Sequence, residues 1–180
     1  MQRLRIDIDS REHENKNSWI LDYFFDNGIY YRYVKLDTAD YRLYNDNSIL
    51  IDRKSGIMEI ANNLLSKEHE RFKREINRAI SQNSKFYILI EDEKITCVDE
   101  VANFIIPTFK SNQYKQKIDS NGNMVKYCVR KKGEPRAKFN PLTLSKVMKT
   151  QEQKYGIKYL FAKHNDIPKM IIKILKGEIQ

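Results

Sequence analysis

Three consecutive charged residues, Asp52, Arg53 and Lys54, follow the apolar end of the stretch "SILI" at residues 48–51. An apolar strand does not need three charges at its end, so the triplet is a candidate for chemistry. Side chains on a strand alternate between its two faces, so Asp52 and Lys54 project together and Arg53 projects the other way. The alternative is a strand end that simply meets solvent, with at most a weak surface ion pair.

A carboxylate and a lysine on one face suit the metal-dependent hydrolysis of phosphodiesters. Mg²⁺ takes oxygen ligands and keeps several waters, and a bound metal polarises phosphate and lowers the pKa of a bound water. A nearby lysine can orient that water or stabilise developing charge. Because one carboxylate is too few, we expect a second from a neighbouring strand. Asp40 begins the partner strand of a predicted hairpin, and Asp9 ends the first strand.

The first half of the chain contains the elements that would position these carboxylates. Residues 3–9 alternate with period two, with Leu4, Ile6 and Ile8 on one face, which predicts a half-buried strand. The stretch "WILDYFFDNG" predicts a helix that stops at Asn27-Gly28. "IYYRYVKL" predicts a second strand. Residues 40–54 then predict a hairpin with "NDNS" as its turn.

The following segments alternate between helix and strand. "IMEIANNLL" and "KEHERFKREINRAISQN" predict two helices, the second with an apolar stripe of Phe72, Ile76, Ala79 and Ile80. "KFYILIED" predicts a strand that is buried on both faces. A further helix is expected in "VDEVANFII".

The C-terminal part of the chain predicts helix, strand, helix. Asn140 is the expected cap of a helix that begins at Pro141 and ends at Gly156. "IKYLFAKH" predicts a strand, and Asp166 is the expected cap of the last helix. Together the elements predict an α/β fold with a mixed central sheet flanked by helices.

Residues 110–138 differ in character, with nine Lys or Arg residues against Asp119 and Glu134. "YKQKIDSNGNMVKYCVRKK" predicts two strands around "SNGN", an Asn-Gly turn. We therefore expect a basic β-hairpin inserted within a single domain that spans 1–180. The predicted DNA-binding residues are Lys115, Lys117, Lys126, Arg130, Lys131, Lys132, Arg136 and Lys138. A merely solvated hairpin is the alternative.

Three aromatic residues, Tyr114, Tyr127 and Phe139, are interleaved with these basic residues. They could stack on unpaired bases. Packing against the sheet or the core is the favoured interpretation of all three.

Charge and composition narrow the classes of partner. The net charge is +9, from 33 basic and 24 acidic residues, which favours a polyanionic partner, nucleic acid first. No apolar run is long enough to cross a bilayer, and the N-terminus lacks the apolar stretch of a signal peptide. We therefore expect a soluble, intracellular protein with no membrane partner. Two cysteines outside any Cys-x-x-Cys pair exclude a disulfide framework and argue against a zinc site.

From residue 6 to about residue 91 the sequence resembles the nuclease domain of the XPF family of structure-specific endonucleases, within the PD-(D/E)XK superfamily. The family's Asp-x-Arg-Glu corresponds to "DSRE" at 9–12, its Gly-Asp-Tyr to "ADY" at 39–41, and its Val-Glu-Arg-Lys to "IDRK" at 51–54. An Arg-Phe-like pair matches Arg71-Phe72, and an apolar strand matches "FYILIED", which reaches Glu91. The resemblance implies a restriction-endonuclease-like fold.

The resemblance also implies a metal-dependent DNA endonuclease that uses Mg²⁺ or Mn²⁺. It assigns Asp40 and Asp52 as metal ligands, Lys54 as the catalytic lysine and Asp9 as a further metal-site carboxylate. Further active-site residues implied by the resemblance are Arg11 and Arg53, which would hold phosphate or neighbouring carboxylates, with Glu12 and Glu59 as possible members. Structural ion pairs are the alternative for both arginines, and Glu12 could fix Arg53 or Lys54 instead of touching metal.

Four features depart from the family pattern. Asp52 stands where the family has Glu, which the superfamily motif allows. Ala39 replaces Gly, which matters only if that position needs a positive φ. Glu59 lies one residue later than the family's acid, with Met58 in its place. No helix-hairpin-helix DNA-binding module follows, so we expect the basic hairpin to take over that work.

The expected substrate is branched or flapped DNA rather than plain duplex, in repair or recombination. The size of the domain suggests a phage or mobile-element nuclease in the cytoplasm of a bacterial or phage-infected cell, and analogy with the family suggests a homodimer. One alternative is a non-catalytic DNA-binding module of the same fold. A second is a protein-interaction factor whose basic hairpin meets an acidic protein.

Overall fold

The computed structural model describes residues 4–12, 14–120 and 122–179, and within it a mixed six-stranded sheet forms the centre of the fold. The strands of this sheet are β1 (Arg5–Asp9), β2 (Tyr30–Val34), β3 (Tyr41–Leu43), β4 (Asp46–Lys54), β5 (Lys85–Glu91) and β8 (Lys158–Ala162). Only β3 runs against the other strands, so the mixed sheet that the sequence predicts is confirmed. Across the sheet the strand order is β2-β1-β3-β4-β5-β8.

Helices cover both faces of the sheet, and each face has its own apolar core. One face packs against α1 (Glu14–Asp26) and α5 (Ile167–Leu175). The other packs against α2 (Ile57–Leu65), α3 (His69–Ser81) and α4 (Pro141–Tyr155). Alternate residues of β5 enter the two cores, which confirms the prediction of a strand buried on both faces.

The first strand differs from its prediction. Ile6 and Ile8 are buried as expected, but Asp7 and Asp9 on the other face are also buried, so β1 is not half-buried. The reason is its place in the sheet, between β2 and β3. Asp7 is held there by Arg32 and Arg42, whose side chains lie 2.7 and 2.9 Å from its carboxylate oxygens.

The predicted hairpin turn at "NDNS" is wrong, because the chain turns earlier, at Tyr44-Asn45, and β4 already begins at Asp46. Asn45 adopts a φ of 56°, a left-handed conformation that asparagine tolerates better than most residues. Its backbone N–H donates to Asp7 Oδ2 at 3.1 Å, and its side chain accepts from Arg32 at 2.7 Å. Contacts with β1 and β2 therefore determine where the turn falls.

Three further expectations are corrected. Ile80 is 42% exposed and lies off the buried stripe of α3. The segment "VDEVANFII" contains only a 3₁₀ turn, Glu100–Asn103, and the side chain of Asp166 makes no capping hydrogen bond. The cap at Asn140 is confirmed, since its side chain accepts hydrogen bonds from the first turn of α4.

The basic segment forms a separate two-stranded hairpin of β6 (Gln113–Ile118) and β7 (Met124–Arg130). Asn121, part of its predicted turn, lies outside the described residues. Tyr114 and Tyr127 are 50% and 40% exposed, so the expectation that they pack on the sheet or core is wrong. Phe139 does pack, stacking on Phe104 against the core. No helix in the described ranges is long and apolar enough to cross a membrane.

Candidate active site

The topology gathers the charged residues at one edge of the sheet. Asp9, Lys54 and Glu91 end β1, β4 and β5, and these strands run in the same direction. Because β3 runs against them, Asp40 at its start lies at the same edge. Two backbone hydrogen bonds of 2.8 Å fix Asp40 there, one from Asp9 N–H to its carbonyl and one from its own N–H to the carbonyl of Ile51.

Asp52 and Lys54 share a face of β4, as strand alternation predicts, and form a buried ion pair. Lys54 Nζ lies 2.6 Å from Asp52 Oδ2, and the two residues are 7% and 3% exposed. The amine is the partner of this oxygen, which has no other hydrogen-bond donor among the described residues. Burial alone would lower the pKa of Lys54, but Asp52 and Asp40 outweigh it and raise that pKa, so the amine is charged.

Asp40 is the second carboxylate of this site. Its Oδ2 accepts a hydrogen bond of 2.7 Å from the backbone N–H of Arg53. The carboxyl is poorly solvated and faces Asp52, and both effects raise its pKa well above the usual value. Ala39, directly before it, has a φ of 70°. The position therefore does need a positive φ, and an alanine here carries backbone strain next to a candidate functional residue.

Glu75 is a third carboxylate in this region, and the sequence analysis missed it. It lies on α3, and its Oε1 accepts a hydrogen bond of 3.3 Å from the backbone N–H of Ala39. Burial and the neighbouring Asp52 raise its pKa. The available signal was its helical position, since Glu75 falls three residues after Phe72 and four before Ala79, on the buried side of α3.

Arg53 points to the opposite face of β4, where other side chains enclose it. Its Nη2 donates to Asn17 Oδ1 at 2.6 Å and lies 3.8 Å from Glu12, while Nη1 lies 3.5 Å from Glu91. Asn17 in turn donates to Glu12 at 2.7 Å. The structure therefore pairs Glu12 with Arg53, which is one of the two alternatives that the sequence left open.

Glu91 connects this arginine to the surface. Its second oxygen lies 2.9 Å from His164 Nδ1, and the imidazole ring packs against Trp19 with ring centroids 4.0 Å apart.

Asp9 and Arg11 interact mainly with each other and with the loop that follows β1. Arg11 Nε lies 2.5 Å from Asp9 Oδ2, and its guanidinium also donates to the carbonyl of Leu36 at 2.8 Å. Asp9 Oδ1 accepts longer hydrogen bonds from the backbone of Arg11 and Leu36. These contacts match the alternative of a structural ion pair, and a role in holding metal or phosphate remains a prediction for both residues.

Glu59 organises the turn between β4 and α2. Its Oε2 accepts hydrogen bonds from the backbone and the hydroxyl of Ser55, at 2.8 and 2.7 Å. The other oxygen lies 3.9 Å from Lys54 Nζ. Gly56, in the same turn, has a φ of 151° and a Cβ added there would meet the carbonyl of Glu91 at 3.4 Å. Glu59 therefore lies at the margin of the site.

The chemistry of the donor set fits a hard divalent cation held by two carboxylates. In residues 4–12, 14–120 and 122–179, no three His, Cys, Asp or Glu side chains converge as metal ligands. Mg²⁺ is commonly bound through one or two carboxylates, with waters and substrate phosphates completing its shell. Asp40 and Asp52 meet that requirement, and the charged amine of Lys54 lies beside them.

Two grooves lead from this edge toward the hairpin. The first, of about 570 Å³, is lined by Ser55, Met58, Glu59 and Glu91 among others. The second, of about 630 Å³, lies between α2 and the base of the hairpin and includes Met58, Arg130, Arg136 and Lys138. Met58 lines both grooves, so they adjoin along α2. All eight basic residues that the sequence assigns to DNA binding are exposed.

Comparison with known proteins identifies the family. The model of the ERCC4 domain matches residues 8–170, and the chain belongs to the ERCC4 domain family. This confirms the resemblance to the XPF nuclease domain and supports a nuclease or DNA-binding role. Nucleases of this family generally use divalent metals. A search of curated proteins found no match.

The fold is similar to that of XPF from Aeropyrum pernix, which confirms the predicted fold class. The match to that structure has a TM-score of 0.60 and 15% identity, and it covers 97% of this chain and 64% of the other. A structure of the same protein in complex with DNA matches with a TM-score of 0.60 and 14% identity, over 98% of this chain and 65% of the other. The chain thus spans just under two thirds of the length of these relatives.

Proposed function

We propose that the protein is a DNA endonuclease that hydrolyses phosphodiester bonds with a divalent metal, Mg²⁺ or Mn²⁺. The observation that carries this proposal is the arrangement of Asp40, Asp52 and Lys54. Two carboxylates and a charged amine meet at one edge of the sheet, where burial and the neighbouring Asp52 raise the pKa of Asp40, and a bound cation would relieve that repulsion.

Each residue has a distinct part in this mechanism. Asp40 and Asp52 would hold the metal, which when bound polarises the scissile phosphate and acidifies a water. Lys54 would contact a non-bridging phosphate oxygen or orient the attacking water, since its amine already lies at the Asp52 carboxylate. Glu75 would hold the backbone of Ala39 and thereby keep Asp40 in place. Arg53, fixed on the opposite face, is a positioning residue for the end of β4.

The proposed substrate is branched or flapped DNA, cleaved during repair or recombination. The family assignment and the similarity to an XPF that was solved with DNA support this choice. The adjoining grooves and the exposed basic hairpin offer a path for a second DNA segment beyond the one at the carboxylates. A homodimer is a further proposal by analogy with the family, and sedimentation equilibrium would test it.

The decisive experiment is cleavage of labelled flap, fork, four-way and linear DNAs with Mg²⁺ or Mn²⁺. Asp52→Asn should abolish cleavage while leaving DNA binding nearly intact, because Asp52 would ligate metal and not phosphate. The matched control is Asp46→Asn, at the other end of the same strand, whose Oδ1 accepts a local hydrogen bond from the backbone N–H of Ser48. Undiminished turnover in the Asp52 variant would remove this residue from the site.

A non-catalytic DNA-binding module is the second candidate, and one observation favours it. The amine of Lys54 already neutralises Asp52 at 2.6 Å, as it would in a site that holds no metal. Salt-dependent DNA binding without cleavage of any substrate in the panel would select this function. Absence of DNA binding at low salt would instead favour a protein partner for the basic hairpin.

A further inference from the structure

The far end of the basic hairpin presents two apolar side chains to solvent. Ile118 ends β6 and Met124 begins β7, and the two residues pair directly across the strands. They are 68% and 69% exposed. A single exposed apolar residue is ordinary, but an opposed pair at a projecting end makes a small apolar surface with no covering element in the described structure.

The surroundings of this pair are basic and aromatic. Strand alternation places Tyr114 and Lys126 on the same face as Ile118 and Met124. Lys126 Nζ lies 4.8 Å from the centroid of the Tyr114 ring, and on the other face Lys117 lies 5.3 Å from the Tyr127 ring. A partner must therefore present negative charge at its surface and apolar faces within reach, which are the properties of phosphates and stacked bases.

The hairpin can reach such a partner without a change in the domain. In the part of the chain that the structure describes, β6 and β7 pair only with each other. Every residue of β6 is exposed, and a six-residue strand extends about 20 Å. Its base is fixed by backbone hydrogen bonds of 2.8 Å from Arg136 to Pro107 and 2.9 Å from Phe109 to Glu134. A projecting hairpin on a fixed base can place the side chains at its far end against a bound partner.

We propose that Ile118 and Met124 insert between bases where the stack of the DNA is interrupted, at a nick or a branch point. This rests on the proposed function, since it takes DNA as the partner. Apolar side chains that enter a base step must unstack it, and the cost is smallest where the stack is already broken. The tip of the hairpin would thus select branched over continuous DNA, while the lysines contact phosphate and add affinity without selectivity.

The test is the double variant Ile118→Ala/Met124→Ala, with binding to a flap and to a continuous duplex of equal length measured by anisotropy. Full burial of one such side chain corresponds to roughly ten- to a hundredfold in affinity. Because an inserted pair stays partly exposed, we expect about a tenfold loss on the flap, and little change on the duplex. The salt dependence should not change, because no phosphate contact is removed.

A second readout reports insertion directly. 2-Aminopurine placed at the branch point should brighten when the wild-type protein saturates the flap, because unstacking relieves its quenching, and should stay dim with the double variant. Phe25→Ala is the control, since Phe25 is 80% exposed near the end of α1, at the edge of the sheet opposite the carboxylates. Met124→Gln, which keeps the length of the side chain and leaves Ile118 in place, should reproduce part of the loss without affecting the hairpin.

The outcomes separate this proposal from the endonuclease assignment. Equal losses on flap and duplex, or an unchanged 2-aminopurine signal, would overturn insertion and leave the nuclease proposal intact. A wild-type protein that binds and unstacks the flap but never cuts it would overturn the nuclease proposal and leave insertion intact, because neither anisotropy nor 2-aminopurine fluorescence depends on cleavage. Failure of the wild type to bind any DNA would overturn both and direct the hairpin to an acidic protein.

Discussion

Replacement of Lys54 by methionine tests whether one buried amine holds a cluster of carboxylates together. Lys54 is 7% exposed and lies 2.6 Å from Asp52. Burial and the charge of Asp52 raise the pKa of two neighbouring carboxyls, Asp40 and Glu75. Methionine keeps the length of the side chain but removes its charge. The three carboxylates would then lie together without their central cation.

The expected cost follows from the burial of the pair. Removing one partner of a buried ion pair typically costs about 3–5 kcal/mol. Asp40 and Glu75 can take up protons, which limits the penalty, so we expect about 3 kcal/mol at pH 7 without metal. For a chain of this size each kcal/mol shifts Tm by roughly 2–4 °C, so Tm should fall by about 6–12 °C.

The pH dependence gives a second signature. The pKa of Asp40 in the folded protein lies well above 3.8, its usual value. Ionisation of Asp40 therefore lowers stability as pH rises from 3.8 through the folded pKa. Loss of Lys54 raises that pKa further, so the deficit of the variant should grow with pH across this window. It should be smallest below pH 3.8, where the carboxyl is protonated in both states.

Asp52→Asn is the matched comparison, because it removes one negative charge from the same cluster. It should relieve repulsion on Asp40 and Glu75 and leave stability at pH 7 equal to or above that of the wild type, although both variants should be inactive. Urea unfolding in EDTA at pH 4 and pH 7, followed by circular dichroism, measures both. A Lys54→Met protein as stable as the wild type at pH 7, or with a deficit independent of pH, would refute this account.

Three other predictions can be measured independently. Asp7→Asn should lower the free energy of unfolding by about 2–3 kcal/mol in urea titrations. Burial raises the pKa of Asp7, but hydrogen bonds led by that from Arg32 lower it overall. The stabilisation by the Asp7 carboxylate is therefore present above pH 3.8 and is lost as pH falls through the pKa of the folded state. Cleavage should stop in EDTA and recover with Mg²⁺ or Mn²⁺. The acid limb of the pH–rate profile, set by the raised pKa of Asp40, should move to lower pH at higher metal concentration, because metal and protons compete for this carboxylate. Replacing Arg130, Lys131 and Lys132 by alanine should make the slope of log K against log salt shallower by up to ~0.9 per lost phosphate contact, with a smaller effect on cleavage at saturating DNA; an unchanged slope would assign the hairpin to another partner.

The parts of the site that lie on strand ends could be predicted from the sequence. Period-two alternation is a local property of the backbone, so the shared face of Asp52 and Lys54 follows from their spacing alone. The position of Asp40 at the same edge required one more inference, that residues 40–54 form a hairpin. The structure bears out the hairpin even though its turn falls at Tyr44-Asn45 and not at the predicted residues.

The parts that depend on packing between elements could not be predicted. The sequence could indicate that Glu75 lies on the buried side of α3, but not that α3 packs against the sheet near Ala39, and that packing is what brings Glu75 to the site. Asp7 is fully buried because β1 has a strand on each side, and a period-two pattern does not reveal whether a strand is central. The exposed tyrosines of the hairpin were predicted to pack because a sequence does not show how far a hairpin projects.

The three charges at the end of β4 divide their contacts between the two faces of one strand. On one face, Asp52 and Lys54 are held at 2.6 Å with Asp40 beside them. On the other, Arg53 is enclosed by Asn17, Glu12 and Glu91. The backbone of this strand end is fixed by the sheet, because β4 pairs with β3 on one side and with β5, up to Lys54, on the other. The contacts of Arg53 add to this support, and we propose that the middle charge stabilises the strand end by position while Asp52 and Lys54 face Asp40.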